Sequence, residues 1–280
     1  MTNIAVTGAT GQLGRLAIAA LKARGATPIA LVRDLAKGAD LGVELRRFDY
    51  GSADAAALRG VDVLVLISSS DFNDRAGQHQ AVIAAADAAG VGRIVYTSIL
   101  KGEASPMILA RDHVATEAAL RGRKGDWTIL RNGWYPENFT GALAAAVDHG
   151  AIIGAAGEGR VSSAARKDYA EAIAVAATGD GHAGKVYELA GDLSHSGADL
   201  AAAVARASGR PVAYVSMPQA DYARALEGFG LPAPVAAVLA DSDAQSGRGA
   251  LLDESRTLSR LIGRPTTPMA ETVEAALRQA

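Results

Sequence analysis

The chain has 280 residues, and 28 Lys plus Arg against 30 Asp plus Glu leave a formal net charge of −2. That near-neutral balance argues against nucleic acid or an anionic membrane as the main partner, because both demand a basic excess. There is no cysteine, which excludes disulfides, thiolate nucleophiles and Cys-ligated zinc or iron–sulfur centres. In chain order, Ile4 to Val6 reads as a strand, Gln12 to Arg24 as a helix ended by Gly25, and Pro28 to Val32 as a second strand. Asp49-Tyr50 closes a third. Val61 to Ile67 is almost continuously apolar, the pattern of a strand covered by helices on both faces. Arg75 to Ala89 reads as a helix, Arg93 to Thr97 as a strand, Ile108 to Arg121 as a helix and Trp127 to Leu130 as a strand. Strand–helix alternation over this length predicts an α/β fold with a doubly wound parallel sheet.

The second half is less regular. Lys167 to Ala177 and Ala198 to Ala207 read as helices, and Val186 to Leu189 and Val212 to Val215 as extended. From Gln219 onward short helices are punctuated by Gly and Pro, with Gly228 to Pro234 a loop. The expected organisation is a dinucleotide-binding core over 1–131. Residues 132–280 then hold the interleaved remainder of the sheet domain and a smaller α-rich C-terminal substrate lobe. The N-terminal residues lack the basic and apolar regions of a signal peptide. Thr140 to Ala156, the longest apolar stretch, is short and carries Asp148 and His149, a poor membrane span. A cytoplasmic globular protein is expected.

Gly8-Ala9-Thr10-Gly11-Gln12-Leu13-Gly14 follows the first strand and opens the first helix. Gly8 permits a tight turn, Gly11 lets backbone N–H groups approach a pyrophosphate, and Gly14 lets the helix pack closely on the sheet. The helix N-terminus then faces the phosphates with partial positive charge. A glycine run in this context predicts a dinucleotide site. The end of the second strand discriminates between the coenzymes: an acidic residue bonds the ribose 2′-OH, an Arg the 2′-phosphate. Arg33 stands there, which favours NADPH, although Asp34 beside it offers a carboxylate to the ribose. Asp49 and Tyr50 are placed to flank the adenine. Ser68, Ser69, Ser70 and Thr97 fall at strand C-termini, where open α/β sheets bind ligands; ordinary caps and turns use the same residues.

Several apparent signals carry no chemistry. Gly179 to Lys185 matches G-x-x-x-x-G-K, but Val186 follows where a P-loop needs Ser or Thr, and a strand follows where it needs a helix. The histidines at 79, 113, 149, 182 and 195 show no i,i+4 pairing, so no metal site is expected.

The glycine loop, Arg33, Ser68-Ser69-Ser70, Tyr96-Thr97-Ser98 and the run from Leu130 to Asn138 (Leu-Arg-Asn-Gly-Trp-Tyr-Pro-Glu-Asn) together resemble the NmrA-like branch of the atypical short-chain dehydrogenases. Within it the likeness is to the bacterial NADPH-dependent quinone oxidoreductase type, with triphenylmethane reductases close by. It extends through Gly154 to Gly157, Val186 to Gly191 and Leu239 to Asp243. The resemblance implies a Rossmann fold, bound NADPH, and a nicotinamide end lined by Asn132, Gly133, Trp134, Tyr135 and the residues up to Asn138.

Ordinary short-chain dehydrogenases donate a proton through a Tyr-x-x-x-Lys pair. Four positions after the seven tyrosines stand Asp54, Leu100, Phe139, Ile173, Gly191, Pro218 and Leu226, none of them Lys. Leu109 and His113 align with the missing pair. Reducing a simple ketone makes an alkoxide about as basic as hydroxide (water's pKa is about 15.7) and needs a positioned acid. Reducing a quinone makes a phenolate-like anion, with a pKa near that of Tyr, roughly 10, which takes its proton from water. The expected reaction is therefore direct hydride transfer from NADPH to a quinone-type planar acceptor, without flavin or metal. Tyr135 or Asn138 is the candidate hydrogen-bond donor to the acceptor oxygen, and Trp134 or Tyr135 the stacking surface, with plain core packing the other reading of both aromatics. His113 either touches the nicotinamide half or makes ordinary helix-face contacts. Arg166 either faces a quinone oxygen or cofactor phosphate, or completes a surface ion pair. Two alternatives stand: a redox-sensing regulator that binds NADP(H) without turnover, and a reductase of another electron-poor acceptor such as a triphenylmethane dye. Monomer and homodimer are left undecided.

Overall fold

A computed structural model describes residues 2–278. In chain order the strands are β1 (Ile4–Val6), β2 (Ile29–Val32), β3 (Glu44–Arg47), β4 (Val63–Leu66), β5 (Arg93–Ile99), β6 (Asp126–Asn132), β7 (Ala151–Gly154), β8 (Lys185–Leu189) and β9 (Ala213–Ser216). The helices are α1 (Gln12–Ala23), α2 (Arg75–Ala88), α3 (Ala110–Gly122), α4 (Glu137–Thr140), α5 (Leu143–His149), α6 (Arg166–Thr178), α7 (Gly197–Ser208), α8 (Gln219–Gly228), α9 (Ala233–Ser246), α10 (Thr257–Ile262) and α11 (Met269–Leu277).

Seven strands form one sheet in the order β3-β2-β1-β4-β5-β6-β8, and the pairings from β3 through to β6 are parallel. Connections run outward in one direction from β1 and in the other from β4. The sheet is thus doubly wound, and its switch point lies between β1 and β4, where such sheets place ligands beyond the strand C-termini. All four residues of β4 are buried, as a strand covered on both faces requires. Helix α1 buries Leu13, Ala17, Ile18 and Leu21, one stripe at helical spacing. Truncating such a buried aliphatic side chain costs about 2–5 kcal/mol. Leu64, Leu66, Val82, Ile83, Ile94, Leu120 and Ile129 join strands and helices in one core.

The chain forms two compact units. The first holds the chain up to Gly102, Asp112–Asn132 and Lys167–Tyr187; the second holds Glu103–Arg111, Gly133–Arg166 and the chain from Glu188 onward. In the second, β7 and β9 pair in parallel, and Leu143, Leu200, Val204 and Val273 form a helical core. No helix among the described residues is long and apolar enough to cross a membrane.

One sequence expectation needs correction, and one strand was not anticipated. Asp49 and Tyr50 do not close the third strand. β3 ends at Arg47, and Asp49 caps a 3-10 turn over Tyr50–Ser52 by accepting the Gly51 N–H at 3.0 Å. Aspartate favours this local bond over continuing a ladder. Strand β7 lies inside the apolar stretch from Thr140 to Ala156, where alanine-rich helix and strand are not separable by periodicity. The segment between Gly179 and Lys185 does join α6 to β8.

Candidate active site

The loop after β1 is shaped by exclusion. Gly8 adopts φ +58°, a left-handed conformation that costs glycine nothing. A Cβ there would come within 3.1 Å of the Tyr50 hydroxyl. At Gly14 a Cβ would strike the Gly8 carbonyl oxygen and lie 2.7 Å from the Ala9 Cα, so α1 rests directly on the loop. Gly11 is the N-cap of α1 and its N–H bonds the Gly8 carbonyl at 2.9 Å. No side chain caps this helix, and its first turn holds no acidic residue. Its N-terminal N–H groups and positive dipole end are therefore available to an anion. Thr10, Gln12 and Leu13 complete the turn. Arg15 ties it down, bonding the Thr10 carbonyl at 3.2 Å and Asp40 at 2.6 Å.

Beneath this loop the Tyr50 hydroxyl lies 2.7 Å from both the Thr7 hydroxyl and the Ile67 carbonyl, and burial raises its pKa. It braces β1 against β4 through its polar tip. Arg33 follows β2 and is exposed. Asp34 turns away into its own loop, where it caps a 3-10 helix through the Ala36 N–H at 3.0 Å. Its carboxylate is thus committed locally beside an exposed Arg33.

After β4, Ser68 donates its N–H to the buried Thr97 hydroxyl at 2.9 Å. Ser69 is held three ways: its N–H meets His79 Nε2 at 2.9 Å, its hydroxyl meets Gln78 at 2.7 Å, and its carbonyl accepts from Arg75 Nε at 2.7 Å. Ser70 is exposed. A buried polar cluster continues from there. His79 Nδ1 lies 2.9 Å from the Thr116 hydroxyl, and the Tyr96 hydroxyl lies 2.8 Å from His113 Nδ1 and 3.4 Å from His79 Nδ1. Burial, with the Arg75 charge beside it, holds His79 at a pKa of about 3. The same two causes, with His79 added, hold His113 well below the ordinary histidine value. Both rings are neutral.

Asn132, the last residue of β6, is buried, and its carbonyl accepts the Leu100 N–H at 2.9 Å. The neighbouring Arg131 pairs with the fully buried Glu117 at 2.7 Å, and Glu117 also binds Ser98 and Arg121. Burial alone would raise the Glu117 pKa; Arg131, Ser98 and Arg121 together outweigh it and lower the pKa.

The remaining expected site residues belong to the second unit. Gly133 donates to the Leu189 carbonyl at 2.7 Å, and the half-buried Trp134 accepts the Ala164 N–H at 3.2 Å. The Arg166 guanidinium lies 4.9 Å from the Tyr135 ring centroid and 3.1 Å from Asn138 Oδ1. Its backbone N–H is bound by Glu137 at 2.8 Å. Tyr135, Asn138 and Arg166 are thus gathered at the start of α6, with no carboxylate pairing to the Arg166 guanidinium among these contacts.

The sequence reading gave no site role to Arg75, His79, Tyr96 or Thr116, quoting Tyr96 only for the family resemblance and His79 only as a rejected metal ligand. Tyr96 is hidden by its apolar strand, and Arg75 reads as an ordinary first-turn residue. The spacing of His79 and Thr116 signals nothing until the fold joins them. Among the described residues no three His, Cys, Asp or Glu side chains gather where they could hold a metal ion.

A family described as NAD(P)H-binding matches residues 8–180. The chain belongs to that family. It is 50% identical to quinone oxidoreductase 2 of Escherichia coli (strain K12) over 277 residues, 96% of this chain and 97% of that one. A crystal structure of an NADPH-dependent quinone oxidoreductase from Escherichia coli, complexed with NADPH, superposes with a TM-score of 0.94 at 48% identity, covering 98% of this chain and 99% of that one. The Citrobacter sp. triphenylmethane reductase complexed with NADP(H) superposes with a TM-score of 0.91 at 36% identity, covering 98% and 100%. The resemblance to the quinone oxidoreductase and triphenylmethane reductase types is borne out.

Proposed function

We propose that this protein is an NADPH-dependent quinone reductase that passes hydride directly to the acceptor. The uncapped N-terminus of α1, seated on the loop through a Gly14 that has no room for a Cβ, carries the reading. The residues present fit a dinucleotide: the loop offers unpaired N–H groups to a diphosphate, and exposed Arg33 offers a bidentate donor to a 2′-phosphate. Bound there, NADPH supplies the hydride. The chain's own work is to hold, orient and shield. Gly8, Thr10, Gly11, Gln12, Leu13 and Gly14 grip the diphosphate. Asp49 and Tyr50 flank the adenine side, and Ser68, Ser69, Ser70, Thr97, Asn132 and Gly133 are the further candidate contacts of the coenzyme.

The acceptor follows from what the helix after β5 lacks. With His113 where a proton-donating pair would carry Lys, and with that His neutral, the site suits a product that leaves as a stabilised anion. A hydroquinone does so and an alkoxide does not. Tyr135 or Asn138 donates a hydrogen bond to the acceptor oxygen, Trp134 and Tyr135 supply the flat surface, and Arg166 adds positive charge for the developing anion. The names of the quinone oxidoreductase relatives support this choice of acceptor.

An anaerobic assay of NADPH oxidation with a panel of small quinones and one triphenylmethane dye tests the proposal. Turnover with quinones, with a higher kcat/KM for NADPH than for NADH, is expected. Tight NADPH binding without turnover of any acceptor would overturn it.

A further inference from the structure

The polar cluster behind the β4 loop has a direction, and that direction assigns a role to Tyr96. The Ser69 backbone N–H can only donate, so His79 Nε2, 2.9 Å away, must accept. A neutral imidazole carries one proton, which places the His79 proton on Nδ1. That N–H points at the Thr116 hydroxyl at 2.9 Å, and Thr116 passes its own hydrogen to the Asp112 carbonyl at 2.8 Å. The Tyr96 oxygen, 3.4 Å from the same His79 N–H, faces a donor on that side. The Thr116 hydroxyl beside it gives its own hydrogen to the Asp112 carbonyl and the Ser68 hydroxyl beside it can donate, so the Tyr96 hydrogen is directed to His113 Nδ1 at 2.8 Å. With Nδ1 accepting, the single proton of His113 sits on Nε2. Tyr96 is fully buried, as is His79, and His113 is 6% exposed, so the arrangement is shielded from exchange with bulk water. Arg75, 5% exposed and bonded to Ser69, places a positive charge beside both rings, which disfavours a second proton on either.

We propose that Tyr96 is a positioning residue that locks His113 as the Nε2–H tautomer, so that a neutral hydrogen-bond donor is presented to the nicotinamide half of NADPH. The role of Nε2 rests on the functional reading above; the tautomer does not. The device suits a hydride donor. A neutral N–H orients the coenzyme without adding a further positive charge beside the pyridinium formed as hydride leaves.

Long-range proton–nitrogen correlation spectra of the full-length protein with labelled histidine test the lock without any substrate, the His113→Gln spectrum supplying the assignment. A protonated Nε2 and an unprotonated Nδ1 are expected for His113 in the wild type, collapsing to an averaged pattern in Tyr96→Phe. The Nδ1–H tautomer in the wild type would overturn the proposal, whatever the variants do. Kinetics test the role of the donor. A Gln amide nitrogen reaches the place of Nε2 and an Asn amide that of Nδ1. His113→Gln should therefore keep kcat/KM for NADPH within about threefold of wild type, and His113→Asn should lose about tenfold, the scale of one hydrogen bond. Equal losses in both would overturn the donor role. Failure of the wild type to bind NADPH at all would instead overturn the functional reading and leave the tautomer result standing.

Discussion

Arg33 stands exposed one residue past β2, while Asp34 spends its carboxylate on the Ala36 N–H. The rival acidic group is thereby withdrawn into its own loop. A guanidinium–phosphate contact is worth about 1.5–3 kcal/mol, or about ten- to a hundredfold in affinity. Arg33→Ala should raise the KM for NADPH by about that factor and change the KM for NADH by less than about twofold. Steady-state kinetics with both coenzymes check this, and equal effects would show that Arg33 does not read the 2′-phosphate. At this scale the backbone of the glycine loop and the exposed place of Arg33 after β2 were legible in the sequence, because the close approach of α1 to the loop admits few residues besides glycine and Arg33 directly follows an apolar strand. Tyr50 was legible only in part. It reads as an adenine neighbour closing the third strand, but its hydroxyl bonds to Thr7 and Ile67 come from two other strand ends that only the folded sheet assembles.

Helix α3 and strand β6 are joined by a buried charge centre. Glu117 has no exposed side-chain area, and Arg131, at 15% exposure, meets it through two nitrogens. Gly102, at φ +48°, makes room for that guanidinium, since a Cβ there would lie 2.6 Å from Arg131 Nε. Removing one partner of a buried pair strands the other charge, at a cost of about 3–5 kcal/mol. Glu117→Ala should lower stability by that amount in urea denaturation, and Glu117→Gln, which keeps an acceptor for Ser98, by less. Little of this could be read from the sequence. Strand–helix alternation located nearly every element of the main sheet, because its apolar runs are bounded by Gly and caps. Cross-element pairs such as Glu117 with Arg131 carry no local signature. The third strand was misplaced because Glu44-Leu45-Arg46-Arg47 lacks the apolar pattern of an interior strand, and the short β7 was lost in alanine-rich surroundings.

For the whole molecule, buried neutral histidines set an acid limit. His79 is held at a pKa of about 3, against about 6.5 in an unfolded chain. His113 and His195 are lowered as well, chiefly by burial. Between the folded and unfolded values the unfolded chain binds more protons, so stability rises with pH across that window. The histidine contribution is complete above about pH 6.5 and is lost as the pH falls toward the folded values. Glu117, with a depressed pKa, adds a loss that begins below its unfolded value of 4.5. Urea midpoints should therefore hold between pH 7.5 and about pH 6.5 and decline from there toward pH 5, and His79→Gln should make that lower slope shallower. A slope unchanged by the substitution would show that His79 is not buried as a neutral ring.

The threading of the two units has a practical consequence for anyone dissecting the protein. The backbone passes between them five times, so no single cut yields either unit whole. A fragment stopping near residue 131 lacks Lys167–Tyr187, and with it the bulk of α6 and the start of β8. Its sheet would end at β6 with an uncovered border, the kind of open strand that recruits other chains. Truncations at that point should express as aggregates, and shorter versions of the protein are better sought by trimming loops within a unit than by dividing the chain.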